Sequence, residues 1–518
     1  MGKDNDRVLM GLFAPLFYFF LFLILPISFL VAKFSIADVF QVAFEYKKLI
    51  VYNIFQAILS ASLATFIGVL ISYYLSRKNI RGVLRNLIHV TAKISFVVPG
   101  VSMAIGFYLL LGRNGLINEF LGLFGLHVDI LYTFLAVILG HAFYNIPVSV
   151  YVVGSVWERL DGNLIEASYV DGCRDLQTFF KVELPLLLPS IISSFLLAFI
   201  YSFTSFAVVL IIGGPKYSTL EVVIYMYLKN LLNFKVALAL TFVQLFIIAS
   251  AATVSSYLMK GNVPFGEPKR KKASAFDYTI LFFLISFVLL PLALSLISGF
   301  LNKGANKSVH ELIEMGLNFI GVPFWKIITT SLSIAALAAF ISTAVGTITS
   351  RMSSKGYRIL RLFPFIPTAF STVTLAFGYL MISLKFNISS AYLLPFLHSL
   401  LSIPLVHGII EMGWRNVDRS IEEAAMMDGS GFWTMLFKIH LPLLKSFLIR
   451  AFTFSMAISL SDLSGVLVLS NESIFTLSKV IYRLMSSRHV PEAKVFNTML
   501  LLIVMFIYYI GEMKTQNE

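Results

Sequence analysis

The chain has 518 residues, of which 58% are hydrophobic and only 13% are charged, a composition that excludes a soluble globular protein and indicates a polytopic membrane protein. Its 40 Lys and Arg exceed its 27 Asp and Glu. In a membrane protein this excess is better explained by basic loops that set the orientation of the chain than by a surface that binds nucleic acid. The single cysteine, Cys173, excludes a disulfide framework and a cysteine-based metal cluster.

Charge-poor segments long enough to cross the bilayer recur along the whole chain, since a hydrocarbon core of about 30 Å needs about 20 residues. We predict an all-α membrane protein with about twelve spans, in which a first half at 1–260 and a second half at 278–518 flank a Gly-, Pro- and Lys-rich cytoplasmic linker at 261–277. The first span is too long for a signal-peptide core and is expected to be retained. The predicted spans are 8–32, 49–76, 94–112, 130–157, 184–215, 236–259, 278–302, 327–350, 362–384, 386–410, 451–471 and 495–511.

Positive charge collects in alternate loops, which predicts the orientation of the chain. If the chain starts inside, the basic loops, both termini, and the loops 158–185 and 415–442 are all cytoplasmic. The basic residues are Arg77, Lys78, Arg81 and Arg85 after the second span, Lys260, Lys269, Arg270, Lys271 and Lys272 in the linker, and Arg351, Lys355, Arg358 and Arg361 after the eighth span.

The loops 158–185 and 415–442 contain a repeat. The segment EASYVDGCRDLQTFFKVELP at 166–185 matches EAAMMDGSGFWTMLFKIHLP at 423–442 at eight of twenty positions, with a constant offset of 257 residues. Average residue usage would give about one or two matches. Because six spans separate the copies, the two halves are expected to be parallel repeats related by an axis along the membrane normal.

Each copy has the pattern of a helical hairpin. Gly172 and Gly429 are expected to end a first helix, since glycine takes the left-handed C-terminal conformation most readily. Pro185 and Pro442 are expected to end the second helix before the next span. That helix has an apolar face, formed by Leu176, Phe179 and Phe180 in the first copy and Trp433, Leu436 and Phe437 in the second.

Two interpretations of this face remain open. It could lie among lipid headgroups as an interfacial helix, or it could dock into a groove of a soluble partner. Two equally spaced copies favour docking, because they suit a partner that is itself twofold.

The repeated pattern of Glu-Ala-Ala, then Gly six residues after the Glu and Leu-Pro a dozen further on, resembles the EAA loop of permease subunits of binding-protein-dependent ABC importers. The second copy has the full form, Glu423-Ala424-Ala425, whereas Ser168 replaces the second alanine in the first. Span number, loop placement and duplication extend the resemblance over essentially the whole chain. Segments such as GHAFYNIP at 140–147 are similar to fused permeases of the ferric-iron and thiamine type.

This resemblance implies a type I importer fold in a bacterial cytoplasmic membrane, two separate ABC ATPase subunits and an extracytoplasmic solute-binding protein. The implied solute is ferric iron or a thiamine-like nutrient, and the implied role is that of a permease, not an enzyme. The sequence has no G-x-x-x-x-G-K-[ST] motif, so ATP is expected to bind the partner ATPase, and neither a cofactor nor a metal is expected in this chain. The residues assigned to ATPase coupling are Glu166, Ala167, Asp171, Gly172, Leu176, Phe179, Phe180, Glu423, Ala424, Ala425, Asp428, Gly429, Trp433, Leu436 and Phe437.

An ionisable residue within a span is a functional candidate because burying its charge in the bilayer is costly. Asp462 is the clearest case, either as a gate or solute contact or as a carboxylate held by a hydroxyl or backbone group, with Ser205 at the matching position. His141 and His398 also match between the copies, and helix packing is favoured over a metal or proton role for them.

A twelve-span secondary transporter driven by an ion gradient is the alternative function. Its usual Gly-x-x-x-Asp-Arg-type loop is missing from SRKNIRGVLRN at 76–86, and it has no need for a duplicated EAA hairpin. A membrane-embedded enzyme is disfavoured because no H-E-x-x-H or G-x-S-x-G motif occurs. No nucleic-acid partner is expected.

Overall fold

A computed structural model describes residues 13–33, 35–94, 97–258, 266–267, 269–301, 307–354, 363–470 and 474–516. The two chain ends that we predict to be cytoplasmic lie partly outside these ranges, as does part of the predicted linker. The basic residues Lys260, Lys355, Arg358 and Arg361 also lie outside the described residues.

The described residues up to 301 form thirteen helices and two very short strands. Strand β1 (Lys78–Asn79) pairs in parallel with β2 (Lys271–Lys272), so the end of the predicted linker is hydrogen-bonded beside the end of α3. The helices are α1 (Phe13–Val31), α2 (Ile36–Glu45), α3 (Lys47–Arg77), α4 (Gly82–Ile94), α5 (Gly100–Leu111), α6 (Leu116–Gly122), α7 (Phe134–Trp157), α8 (Gly162–Val170), α9 (Asp175–Phe203), α10 (Ala207–Ile212), α11 (Leu220–Lys229), α12 (Phe234–Leu258) and α13 (Ala275–Ile297).

The described residues from 307 onwards repeat much of this order. They comprise α14 (Val309–Ile320), α15 (Phe324–Ser354), α16 (Thr372–Phe386), α17 (Leu394–Arg415), α18 (Arg419–Met427), α19 (Phe432–Thr434, continued by the π-helical Met435–His440 and by Leu441–Leu443), α20 (Lys445–Ser461), α21 (Ser464–Leu469), α22 (Leu477–Ser486) and α23 (Val490–Gln516). Short 3₁₀ turns cover Pro215–Tyr217, Phe363–Ala369 and Ser390–Tyr392.

The predicted membrane class is confirmed. Within the described residues, ten helices are long and apolar enough to cross a bilayer, and two bent helix pairs raise the number to as many as twelve. The bent pairs correspond to the predicted ninth and eleventh spans, with bends of 97° at Ala369–Thr372 and 71° at Leu443–Lys445.

The compact units of the structure do not follow the predicted boundaries at 260 and 278. One unit is Ile36–Gly304, and the other combines Met1–Ser35 with Ala305–Glu518. The first helix of each sequence half therefore packs in the other unit: α1 packs against α16, and α13 packs against α5.

Glycines allow these exchanged helices to approach closely. A Cβ on Gly378 of α16 would lie 2.8 Å from the carbonyl oxygen of Pro26 in α1. A Cβ on Gly106 of α5 would likewise overlap the carbonyl of Pro291 in α13. Membrane helices have no hydrophobic driving force between them, and small residues at such positions allow them to pack tightly. Counting spans does not take these residues into account, so it could not predict which helices pack together.

Pro185 does not end its helix as we expected. The chain is helical from Asp175 to Phe203, and a π-helical turn at Phe179–Glu183 precedes the proline. A π turn accommodates a change in the hydrogen-bond ladder at the point where proline lacks its donor. In the second copy Pro442 follows a similar π turn, but there the helix ends at Leu443 and the next begins after a 71° bend.

Candidate functional site

The two EAA hairpins turn at the predicted glycines. Gly172 has φ of 82° and Gly429 has φ of 77°, both in the left-handed region. In each hairpin the glycine amide donates to the carbonyl of the residue three positions earlier. The following amide, which belongs to Cys173 or Ser430, donates to the carbonyl of the residue five positions earlier. All four bonds are 2.9–3.0 Å long. This is the Schellman arrangement, which satisfies the last carbonyls of the helix. Asp171 and Asp428 are the exposed C-cap residues before the glycines.

The predicted apolar face is divided in the same way in both hairpins. Leu176 and Phe180 are 73% and 61% exposed. Phe179 instead packs inward, with its ring stacked on Trp157 at a centroid distance of 5.8 Å. In the second hairpin Trp433 and Phe437 are 66% and 58% exposed and stack on each other at 5.8 Å, whereas Leu436, which aligns with Phe179, is half-buried. Of the three apolar positions predicted on the second helix of each hairpin, two are thus exposed and the middle one packs inward.

The first two positions of the EAA motif are exposed and the third is buried. Glu166, Ala167, Glu423 and Ala424 are all exposed. The third position is held by Ser168 in the first copy and by Ala425 in the second, with 6% and 8% exposure. The motif therefore combines an outward acidic edge with one inward small residue.

The serine in the first copy is explained by its partner. The Ser168 hydroxyl lies 2.8 Å from Thr178 Oγ1 and also donates to the carbonyl of Ile165 over 2.7 Å. Thr178 is fully buried. The position that aligns with Thr178 holds Met435 in the second copy, so a polar pair in one hairpin corresponds to Ala425 and a methionine in the other.

The base of the first hairpin is held by a buried carboxylate. Trp157 Nε1 donates to Glu183 Oε2 over 2.7 Å, and Arg77 Nε, at the end of α3, lies 3.3 Å from Glu183 Oε1. Arg77 also donates to the hydroxyl of Tyr169 in α8 over 3.2 Å. A core of Val153, Trp157, Leu160, Ile165 and Leu187 surrounds this junction. The hairpin is therefore attached to α3, α7 and α9 by bonds that little water reaches.

The second hairpin is also anchored by an arginine and a carboxylate, but the carboxylate is at a position that does not align with Glu183. Arg351, at the end of α15, lies over the Trp414 ring at 4.3 Å and pairs with Glu422 at 2.5 Å. His440, which aligns with Glu183, has its Nε2 3.0 Å from Glu422 Oε1. Glu422 itself aligns with Ile165 of the first copy.

The sequence did not predict these anchors, because the two arginines were interpreted only as loop charges that set orientation. The available signal was an arginine in the last turn of a long apolar helix, in both halves. The carboxylate that pairs with the arginine occupies different positions in the two copies, so aligning the copies at an offset of 257 residues could not identify it.

The predicted linker lies against the first hairpin. Lys269 forms an ion pair with Glu166, and Lys271 pairs with Asp175 at 2.5 Å while its ammonium lies 4.5 Å from the centre of the Tyr169 ring. The hydrogen bond to Asp175 raises the pKa of Lys271 above its ordinary value. The described residues Lys269 and Lys271 of the linker are therefore packed against this hairpin.

The chain enters the first hairpin at Glu158, which pairs with α4. Arg85 Nη2 lies 2.7 Å from Glu158 Oε1, and His89 Nε2 lies 3.5 Å from it. Burial alone would raise the pKa of the Glu158 carboxyl, but hydrogen bonding from His89 and the charge of Arg85 hold that pKa below its ordinary value.

Asp462 closes the break between α20 and α21. Its Oδ2 accepts the amides of Gly465 and Val466 over 2.9 and 3.3 Å and lies 3.2 Å from His398 Nε2. His398 Nδ1 lies 2.7 Å from Ser459 Oγ. The carboxylate is thus held by backbone amides, as one of the two interpretations of the sequence expected, and by the matched histidine, which the sequence did not indicate.

The matching positions in the first half carry no carboxylate. Ser205 is half-buried, and its carbonyl accepts the hydroxyl of Thr219 over 2.8 Å. His141 Nδ1 lies 2.9 Å from Gln56 Oε1. Both histidines therefore have helix-packing partners, as favoured by the sequence.

Comparison with known proteins identifies the kind of chain that carries these hairpins. Residues 64–264 match the family model of the binding-protein-dependent transport system inner membrane component. The chain is 25% identical over 482 residues to the thiamine transport system permease protein ThiP of Escherichia coli, covering 89% of this chain and 88% of that protein. It is 25% identical to ThiP of Haemophilus influenzae, over 88% and 86% of the two chains.

A second kind of relative matches over a shorter range. The putative ferric transport system permease protein FbpB 1 of Haemophilus influenzae is 27% identical over 404 residues, which is 72% of this chain and 62% of that protein. The resemblance that the sequence indicated is confirmed, and the proteins that the chain resembles are transport permeases. The chain therefore contains a domain of the binding-protein-dependent inner membrane transport components and is homologous, over most of its length, to the permease proteins of such systems.

Proposed function

We propose that the chain is the membrane-spanning permease of an ATP-driven importer and that its two hairpins dock two separate ATPase subunits. One observation carries the proposal: two hairpins, 257 residues apart, make the same glycine turn and present the same pair of exposed apolar positions, Leu176 with Phe180 and Trp433 with Phe437. Exposed apolar side chains on a short helix suit a groove in a soluble partner. The acidic edge formed by Glu166 and Glu423 adds a polar rim to each contact.

The anchors explain how movement of an ATPase would reach the membrane. A force on the tip of the first hairpin acts on α9, a continuous helix of 29 residues, and through Glu183 on Arg77 of α3 and Trp157 of α7. Closure of the ATPase pair on ATP would then shift several spans together, as in rigid-body gating. In the second hairpin the bend after Leu443 places the anchor on Glu422 and Arg351 instead.

The rest of the mechanism follows from this division of labour. ATP binds the partner ATPase, and this chain holds neither a cofactor nor a metal of its own. A solute-binding protein delivers the solute on the outer face. The hairpins and both termini face the cytoplasm, on the side where the basic loops collect.

We propose a thiamine-like cation as the first candidate solute, because the thiamine permeases align along most of both chains. Ferric iron is the second candidate, supported by the shorter match to the ferric permease. Uptake of labelled thiamine and of labelled ferric iron, each with its cognate binding protein and the ATPase in proteoliposomes, distinguishes the two. Uptake driven by an ion gradient without nucleotide would contradict ATP-driven import and support the secondary transporter.

Docking can be tested at the single cysteine. Cys173 follows Gly172 in the first turn and is half-buried. Bound ATPase is expected to slow maleimide labelling of Cys173 several-fold, and Phe180→Ser combined with Phe437→Ser is expected to abolish this protection. Phe124→Ser, at a residue 67% exposed outside the hairpins, is the matched control. Equal labelling with and without saturating ATPase would show that the first hairpin is not the docking site.

A further inference from the structure

An apolar groove lies between two helices that the transport mechanism does not use. It has a volume of about 680 Å³ and runs between α4 and α13, both within the unit Ile36–Gly304. Leu84 and Leu87 of α4 form one short wall, and eight residues of α13 form the other. Its lining includes Leu84, Leu87, Tyr278, Phe282, Leu289 and Ala293.

The α13 wall of the groove is about as long as one leaflet of a bilayer. Tyr278 and Ala293 are fifteen residues apart on α13, which is about 22 Å at 1.5 Å per residue. One leaflet contributes about 15 Å of hydrocarbon, and the headgroup region adds several more. An extended hydrocarbon chain is therefore the occupant whose length and polarity fit these walls.

One end of the groove is basic. The amide of Arg81 donates to the Tyr278 hydroxyl over 3.2 Å, which places Arg81 at the mouth. Lys272 stands opposite Asn79 in the β1–β2 ladder, directly before α13. Both side chains are exposed, and among the described residues neither forms an ion pair with a carboxylate.

The neighbouring basic residues show that this end has been neutralised selectively. Lys78 pairs with Asp277 at 3.0 Å, and Arg85 pairs with Glu158 at 2.7 Å. Lys78 and Arg85 are thus balanced by protein carboxylates, whereas Arg81 and Lys272 are left for an external anion.

We propose that this groove binds an anionic phospholipid, with one acyl chain between α4 and α13 and its phosphate at Arg81 and Lys272. The apolar walls exclude a water-soluble anion, and the two cations favour an anionic headgroup over a zwitterionic one because basic residues near a membrane surface attract anionic lipid. A docked protein helix would fill the walls but leave both cations without a partner.

Native mass spectrometry of the purified full chain tests the site with defined lipids. Phosphatidylglycerol and phosphatidylcholine are added in equal amounts, and we expect retention of one phosphatidylglycerol with a preference of about thirtyfold, the value for two basic side chains at a lipid surface. Arg81→Gln with Lys272→Gln should reduce this preference to near unity. Ser286→Trp, which fills the groove, should remove the tightly held lipid of either kind.

The matched control changes the same charge at the opposite end of α3. Lys47→Gln with Lys48→Gln removes two exposed cations about 45 Å from Arg77 along that helix and should leave the preference unchanged. Equal retention of the two lipids by the unmodified chain would overturn the proposal. So would an equal loss of preference in the control, or an unchanged preference in the Arg81 and Lys272 variant, with all variants monodisperse and of unchanged helix content.

Discussion

Replacing Ser168 by alanine should loosen the first hairpin more than its small size suggests. The substitution removes the partner of the Thr178 hydroxyl, which lies 2.8 Å away and is fully buried. An unsatisfied buried hydroxyl costs about 1–3 kcal/mol. Since tenfold in an equilibrium constant corresponds to about 1.4 kcal/mol, local opening should become about 5- to 150-fold more frequent.

The complementary change should cost much less. In Thr178→Val the Ser168 hydroxyl keeps its bond to the carbonyl of Ile165 at 2.7 Å, so no polar group is orphaned. Combining Ser168→Ala with Thr178→Val removes both hydroxyls with little change of shape, which can be nearly neutral. The double variant should therefore open less often than Ser168→Ala alone.

Hydrogen exchange of the amides at 162–178 measures this opening directly, because it reports local unfolding region by region. The amides at 419–431, in the second hairpin, are the control within the same molecule and should be unchanged. Exchange of Ser168→Ala at the wild-type rate, or still faster exchange after adding Thr178→Val, would show that the Ser168–Thr178 pair does not stabilise the hairpin in this way.

Three further changes test other parts of the hairpins. Gly429→Ala should destabilise the second turn by about 1–2 kcal/mol because φ is 77° there, whereas Gly429→Asn should cost less, and hydrogen exchange of that turn ranks them. The Glu158 carboxyl, with its pKa held low, stabilises the fold above its unfolded pKa. The melting-temperature difference between wild type and Glu158→Gln should therefore be constant near neutral pH and disappear as the pH falls through the folded pKa, which lies below the ordinary value of a glutamate carboxyl. Arg351→Lys should weaken the contact with the Trp414 ring by about 1 kcal/mol and change tryptophan fluorescence, while unchanged emission and hairpin exchange would argue against an anchoring role.

Local features of this protein were predictable because short stretches of chain encode them. Runs of about 20 apolar residues identified most spans, since the bilayer thickness alone sets that length. The glycines at 172 and 429 were correctly placed at the turns, because the left-handed conformation depends on the residue itself. The repeat also located both hairpins and their exposed apolar positions.

Other features depended on residues that are distant in sequence. Periodicity put Phe179 on the exposed face, but stacking on Trp157 turns it inward. Proline chemistry predicted a helix end at Pro185, but a π turn and packing of α9 carry the helix onward. The hairpin anchors form because the ends of α3 and α15 lie next to the hairpins. No local sequence pattern specifies that contact.

The amino-acid sequence by itself determined that this is a duplicated helical membrane protein with two glycine-turned EAA hairpins, because hydropathy, repeat offset and turn chemistry are properties of neighbouring residues. Only the tertiary structure decided that α1 and α13 are exchanged between the compact units, and that Glu183 in one hairpin is replaced by Glu422 in the other. These choices rest on close helix approaches and buried charge pairs between distant residues, and many sequences with the same pattern could satisfy them differently.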